Sequence, residues 1–205
     1  MEAGRLEASR ERLIFLSDAV FAIAMTLLAL ELIPREIPPA SGLAAMLDHS
    51  VRKVFAFILS FAVIGAQWLS HVRNMHLIRR ADGAFLLLNL LMLLIVCFLP
   101  YPTAILGEIG PNRIAVTFYA ATVALLSVAE LLIWLWAAYG GRLLADSVSA
   151  AESRMIAIRQ VVPIVVFGAS VVIAQFNPNW AMWSWIAIAP LLMLTRLLPS
   201  GDSAQ

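Results

Sequence analysis

Apolar residues gather into six long blocks along the chain, separated by short stretches where charge, proline or glycine collects. The blocks cover about 13–33, 51–78, 83–106, 113–139, 154–176 and 180–198, each near the ~20 residues that cross a ~30 Å hydrocarbon core as one helix. The punctuation between them has a physical basis. Pro34, Pro38 and Pro39 stop the first block in a turn-rich connection, and a weak amphipathic piece follows around Leu43 to Leu47. Pro100 and Pro102 kink or end the third, and Gly140-Gly141 stops the fourth. Pro163 and Pro190 lie inside the fifth and sixth, where neighbouring helices can satisfy the backbone groups that proline frees. Residues 1–12 form a charged lead-in, 142–153 a polar loop and 199–205 a polar tail. The pattern predicts an all-α polytopic membrane protein, one domain over 1–205 with six transmembrane helices.

Composition supports that reading. The chain is 62% hydrophobic and 13% charged with a mean hydropathy of +0.90, far from the soluble average. A net charge of +1 with no basic run excludes nucleic acid as a partner. The single cysteine, Cys97, excludes an intrachain disulfide or a multi-cysteine metal site and reads as a small buried hydrophobe. The first block is too long for the apolar core of a signal peptide and contains Asp18. Six spans put both termini on one side. Placing them in the cytoplasm leaves Arg5, Arg10, Arg12, Arg73, Arg79, Arg80, Arg142, Arg154, Arg159 and Arg196 inside, against Arg35, Arg52, Lys53 and Arg113 outside. The positive-inside rule therefore predicts cytoplasmic N and C termini. Trp134, Trp136 and Trp180 near span ends read as interfacial anchors.

The first block is the one the others are organised around. On a helical wheel Leu16, Val20, Ile23, Leu27, Leu30 and Pro34 share one wholly apolar stripe, and Ser17, Asp18 and Thr26 lie off it. A carboxylate in lipid costs several kcal/mol unless it is paired or faces water. Asp18 must therefore point at protein or at a pathway. It lies six residues beyond Arg12, while His71 lies eight before Arg79 and Asn89 seven after Asp82. At ~1.5 Å per residue all three sit roughly 9–12 Å from the cytoplasmic face. Arg12 and Arg73 reach the same layer and Trp68 lies one turn deeper, so a polar cluster tying the first three spans is expected. It either staples the bundle or fixes the rotation of the first helix. Glu130 and Arg159, on adjacent antiparallel segments, are expected to form an ion pair. Glu31 closes the outer end of the first helix, and in a symmetric assembly it would become a ring of negative charge attractive to cations.

Missing motifs narrow the function. There is no TVGYG-like filter, arginine ladder, P-loop, HExxH or Gly-x-Ser-x-Gly, and His49, His71 and His76 have no partner at metal-ligand spacing. No enzyme and no cofactor is expected. A channel, a proton-coupled secondary transporter using Asp18, His71 and Glu130, and a non-transporting scaffold are the three readings. Carriers typically show inverted repeats and helices broken at mid-membrane, and the first three blocks run unbroken through their centres.

Arg12-x-x-x-Leu16-Ser17-Asp18 followed by AVFAIAMTLLALEL resembles the first-helix signature of the transmembrane protein 175 family, prokaryotic relatives of the endolysosomal potassium channel. That signature usually carries phenylalanine where Leu16 stands. Ser60-Phe61, Ile64-Gly65, Trp68 and His71 in the second block, and Asn89 and Phe98-Leu-Pro-Tyr-Pro-Thr-Ala in the third, also look like the family. The resemblance implies a potassium-permeable cation channel with some proton permeability. It further implies a homotetramer in the bacterial inner membrane, with first helices lining a central pore that K+ occupies. Carried over by position, Ile23 is the narrowest apolar constriction, Leu27 and Leu30 are further rings, and Thr26 is the hydroxyl layer linked to potassium preference. Arg12, Ser17, Asp18 and His71 would be the interhelical network, to which the depth argument adds Trp68 and Asn89. Four copies of the apolar stripe make a narrow tube that gates by dewetting.

Overall fold

The structure is a computed structural model that describes residues 2–33, 43–141 and 143–197. Eight α-helices appear among them: α1 Glu2–Leu30, α2 Leu43–His76, α3 Gly83–Phe98, α4 Pro100–Ile109, α5 Arg113–Ala138, α6 Ala150–Ile173, α7 Pro178–Ser184 and α8 Ile188–Leu197. Among the described residues there is no strand, only an isolated bridge between Ile78 and Leu144. Five stretches are long and apolar enough to cross a membrane: Ser9–Leu30, Ser50–His76, Gly83–Ile109, Arg113–Gly141 and Ala150–Ile173. The chain is an all-helical membrane protein.

The ends of these helices follow local chemistry. The charged lead-in is already helical, so α1 starts at Glu2, and the amphipathic piece near Leu43 is the first turn of α2. The prolines kink the third span rather than end it. Leu99 N still donates to Ile95 and Val96 carbonyls, and Pro100 begins α4 in the first turn, where its missing N–H costs nothing. Asp82, Asn112, Ser149 and Asn177 cap α3, α5, α6 and α7 by accepting from backbone N–H groups one turn on. The Ser149 cap starts α6 at Ala150, inside the expected polar loop. The sixth block is an interrupted run: α7, a 3₁₀ turn Trp185–Ala187, then α8. The Pro34, Pro38, Pro39 connection and the 199–205 tail lie outside the described residues.

Burial ranks the helices. Half of the apolar window of Arg113–Gly141 is inside the molecule, against 22–33% for the other four spans, so α5 is the hub. α5 packs on α3, α4 and α6, while α1 rests on α2 and α3. Trp134 belongs to this core, 1% exposed, with its indole N–H donating to the Ser153 carbonyl; it is no interfacial anchor. Trp180 and Trp136 are exposed. Cys97, expected to be buried, is exposed on the protomer surface. Three hydroxyls meet where the core crosses helices: Ser60 Oγ of α2 lies 2.8 Å from Thr103 Oγ1 of α4 and 3.1 Å from Tyr119 Oη of α5.

Candidate functional site

α1 has a buried side and an open side. Leu13, Ser17, Phe21, Ala24 and Leu28 are buried, one residue every three or four, as expected of a helix seated on neighbours along a single line. The apolar stripe faces away from that seat: Leu16 is 44%, Ile23 57%, Leu27 41% and Leu30 57% exposed, and Val20 is half-buried. Next to it runs a row of small residues, Ala19, Ala22, Thr26 and Ala29, all exposed. At about 100° per residue this row lies opposite the buried line. Thr26 Oγ1 donates to the Ile23 carbonyl at 2.8 Å, so its proton is used within α1 and its oxygen lone pairs remain outward.

The polar layer behind α1 is partly joined. Trp68 Nε1 of α2 donates to Asp18 Oδ1 at 2.8 Å, which gives the membrane carboxylate a partner. His71 is buried, its ring 5.8 Å from that of Phe21, and its Nε2 has no hydrogen-bond partner. Asp18 is close enough to act electrostatically on this imidazole. Ser17 Oγ donates to the Leu13 carbonyl and Asn89 Nδ2 to the Phe85 carbonyl. Both thus spend their donors inside their own helices, and Asn89 Oδ1 is left unpaired. Arg12 is exposed, while the guanidinium one turn-fraction earlier, Arg10, donates from Nη2 to the Met75 carbonyl at 2.7 Å. The structure therefore brings Asp18, Trp68 and His71 together, and does not bond Arg12, Ser17 or Asn89 to them. At the other end of α1 the half-buried Glu31 lines a cavity of ≈ 10 Å³ with Leu28, Lys53, Ala56, Phe57, Thr103, Ala104 and Gly107. Lys53 Nζ there pairs with Glu108 at 2.7 Å.

Glu130 differs from expectation. It is 4% exposed and faces α2 rather than Arg159: Asn74 Nδ2 donates to its Oε1 at 3.4 Å. Ser70, Gln67 and Arg73 also lie close enough to act on it. Arg159 is exposed, because its neighbour Gln160 occupies the buried face of α6 and adjacent residues on a helix point about 100° apart. Sequence reasoning also passed over the Ser60, Thr103 and Tyr119 junction. Its only signal was hydroxyl groups within apolar blocks, which need partners when buried.

Residues 12–100 match the family described as the endosomal/lysosomal potassium channel TMEM175. Over 156 residues the chain is 39% identical to a potassium channel of Chamaesiphon minutus, covering 74% of this chain and 73% of that protein. A potassium channel of Streptomyces collinus is 34% identical over 163 residues, 77% of this chain and 75% of the relative. The fold superposes with a TM-score of 0.76 on the crystal structure of a lysosomal potassium-selective channel TMEM175 homolog from Chamaesiphon minutus. Sequence identity there is 26%, with 91% of this chain and 97% of that one covered.

Proposed function

The chain belongs to the TMEM175 family, and on that footing we propose that it is a potassium-permeable cation channel whose pore is lined by the first helix of each of four subunits. The observation that carries the pore assignment is the open side of α1, where a long apolar stripe remains exposed on the helix that bears the family signature. An apolar face this long on one protomer calls for lipid or another copy. The small row Ala19, Ala22, Thr26 and Ala29 favours another copy, since small side chains let membrane helices approach closely and gain packing energy. With that row in contact between subunits, Ile23, Leu27 and Leu30 turn toward a common axis and form apolar rings. Water leaves so narrow a tube and ions cannot follow, so the resting pore is shut by dewetting. Thr26 sets its oxygen between the rings as the layer that favours potassium, and Glu31 adds negative charge at the outer mouth. Asp18, Trp68 and His71 hold the inner half of α1 in place. The termini are cytoplasmic, and the membrane is the bacterial inner membrane.

The proton-coupled carrier built on Asp18, His71 and Glu130 is not favoured. Its three groups do not line one path: Asp18 and His71 lie between α1 and α2, whereas Glu130 lies between α2 and α5. The test is flux from liposomes carrying the purified protein and a potassium gradient, with sodium and caesium as comparators. Passive potassium-favouring flux is expected, and Ile23→Asn should raise it by wetting the narrowest ring. Flux strictly coupled to protons, or Ile23→Asn flux equal to wild type, would overturn the pore assignment.

A further inference from the structure

Glu130 is a buried carboxyl that the proposed pore leaves unused, and its surroundings give it work. The carboxyl is 4% exposed, and the groups that face it come from one side of α2: Asn74 at 3.4 Å, with Ser70, Gln67 and Arg73 nearby. Asn74 is 9% exposed, and Gln67 Nε2 is buried without a partner. The layer between α2 and α5 is therefore polar. A buried carboxyl oxygen without a donor costs several kcal/mol, so α2 is held with this side turned to α5.

The same two turns of α2 carry Trp68 and His71. At about 100° per residue these two lie roughly 100° around the helix from the mean direction of Gln67, Ser70 and Asn74. One side of α2 meets Glu130 and the next meets Asp18 and Phe21 of α1. Apolar packing is non-directional and leaves the rotation of a helix loosely set; hydrogen bonds fix it. A second fixed point lies about 20 Å up the same helix at ~1.5 Å per residue, where Ser60 meets Tyr119 of α5.

We infer that Glu130 is a positioning residue for the channel: by fixing the rotation of α2 against α5 it holds Trp68 at its hydrogen bond to Asp18, and so sets the orientation of α1. This rests on the proposed pore reading only for its functional consequence. The geometric part stands without it. The chain of contacts runs from the hub helix α5 through α2 to α1, each link a named side chain.

The experiment uses the full chain in lipid nanodiscs with ¹⁵N-labelled tryptophan. The six tryptophans give six indole N–H signals, and the Trp68 signal is the one lost in Trp68→Phe. Glu130→Leu keeps the volume and removes the polar group. It should shift the Trp68 signal and speed its deuterium exchange roughly fivefold, as loss of one hydrogen bond's net stabilisation does. The other five signals should hold, and Glu130→Gln should restore the wild-type spectrum. Asn74→Leu, removing the partner instead, should reproduce the effect and serves where Glu130→Leu does not fold. In single-channel recordings the same variants should change open probability and leave unitary conductance as it is. A Trp68 signal unmoved in both leucine variants overturns the inference, and so does an equal movement of all six signals, which marks general loosening. A wild-type protein that passes no potassium would overturn the pore reading instead, and the Trp68 measurement would still decide the role of Glu130.

Discussion

The hydroxyl junction of Ser60, Thr103 and Tyr119 makes a prediction whose sign can be worked out by counting protons. Thr103 Oγ1 donates to the Leu99 carbonyl at 2.8 Å. Ser60 Oγ donates to Tyr119 Oη at 3.1 Å and lies 2.8 Å from Thr103 Oγ1, so both interhelical contacts run through the one Ser60 oxygen and its single proton. Ser60→Ala removes both at once and leaves the oxygen of Tyr119, a residue that is 0% exposed, without its donor. Tyr119→Phe removes only one, and the freed Ser60 proton can turn to Thr103. Interhelical hydrogen bonds in membranes are worth about 0.6 kcal/mol on average and at most about 1.7, and an orphaned buried polar atom adds to that. Ser60→Ala should therefore cost about 1.5–2 kcal/mol and Tyr119→Phe about 0.6. In the double variant the orphan is gone, so adding Tyr119→Phe to Ser60→Ala should cost nothing or recover some stability. Reversible unfolding in bicelles by titrated detergent, at fixed protein concentration, measures all three. Strictly additive costs, or Tyr119→Phe more damaging than Ser60→Ala, would refute the central place of Ser60 and with it the view that this junction locks α2, α4 and α5 together.

Two further predictions concern the scaffold. A Cβ at Gly107 would meet the Lys53 Cα at 3.3 Å, a backbone atom that cannot swing away, so Gly107→Ala should prise α4 from α2 and cost about 1–2 kcal/mol in the same unfolding assay. Wild-type stability in that variant would mean the two helices have slack. Ser149→Ala removes the side chain that accepts from Glu152 N at 3.1 Å, and should cost about 1 kcal/mol. Amide exchange should quicken at 150–153 and stay unchanged beyond 160, and uniform protection there would argue against the cap.

The helices were legible in the chain because a bilayer permits so few ways to satisfy backbone groups. Blocks of apolar residues had to be helical, and their stripe on α1 could be read from periodicity alone. What periodicity does not carry is which neighbour a polar side chain meets. Glu130 and Arg159 lie on consecutive antiparallel segments, which suggested an ion pair, yet α6 presents Gln160 inward and α2 brings Gln67, Ser70, Arg73 and Asn74 to the carboxyl. Trp134 looked like an anchor from its place near a span end, and packing against α6 buried it. Ser17 and Asn89 share the depth of Asp18, but a carbonyl four residues back in the same helix was nearer than any partner across the interface. The Ser149-x-x-Glu152 start of α6 was available in the sequence, as a serine three residues before a glutamate ahead of an apolar run.

The distribution of polar contacts along α1 bears on how such a pore would open. Arg10 and Asp18 hydrogen-bond α2. Beyond Asp18, none of the described side chains of α1 hydrogen-bonds another helix; Thr26 bonds its own, and Phe21, Ala24 and Leu28 hold by apolar contact. Sliding such contacts loses little, since apolar attraction has no preferred direction, whereas shifting Asp18 breaks a bond that buries a carboxylate. The inner half of α1 is therefore the fixed end of a lever and the outer half the moving one. Leu30 lies twelve residues beyond Asp18, about 18 Å, and Ile23 about 7.5 Å. A tilt of about 5° about Asp18 then moves Leu30 by roughly 1.5 Å and Ile23 by only ~0.7 Å. Tilting alone clears the outer rings before the inner one. Widening the ring at Ile23 asks for rotation of α1 about its axis, and that is the coordinate the Trp68 bond restrains; the polar layer behind the helix governs the narrowest ring, and the apolar seat governs the rest.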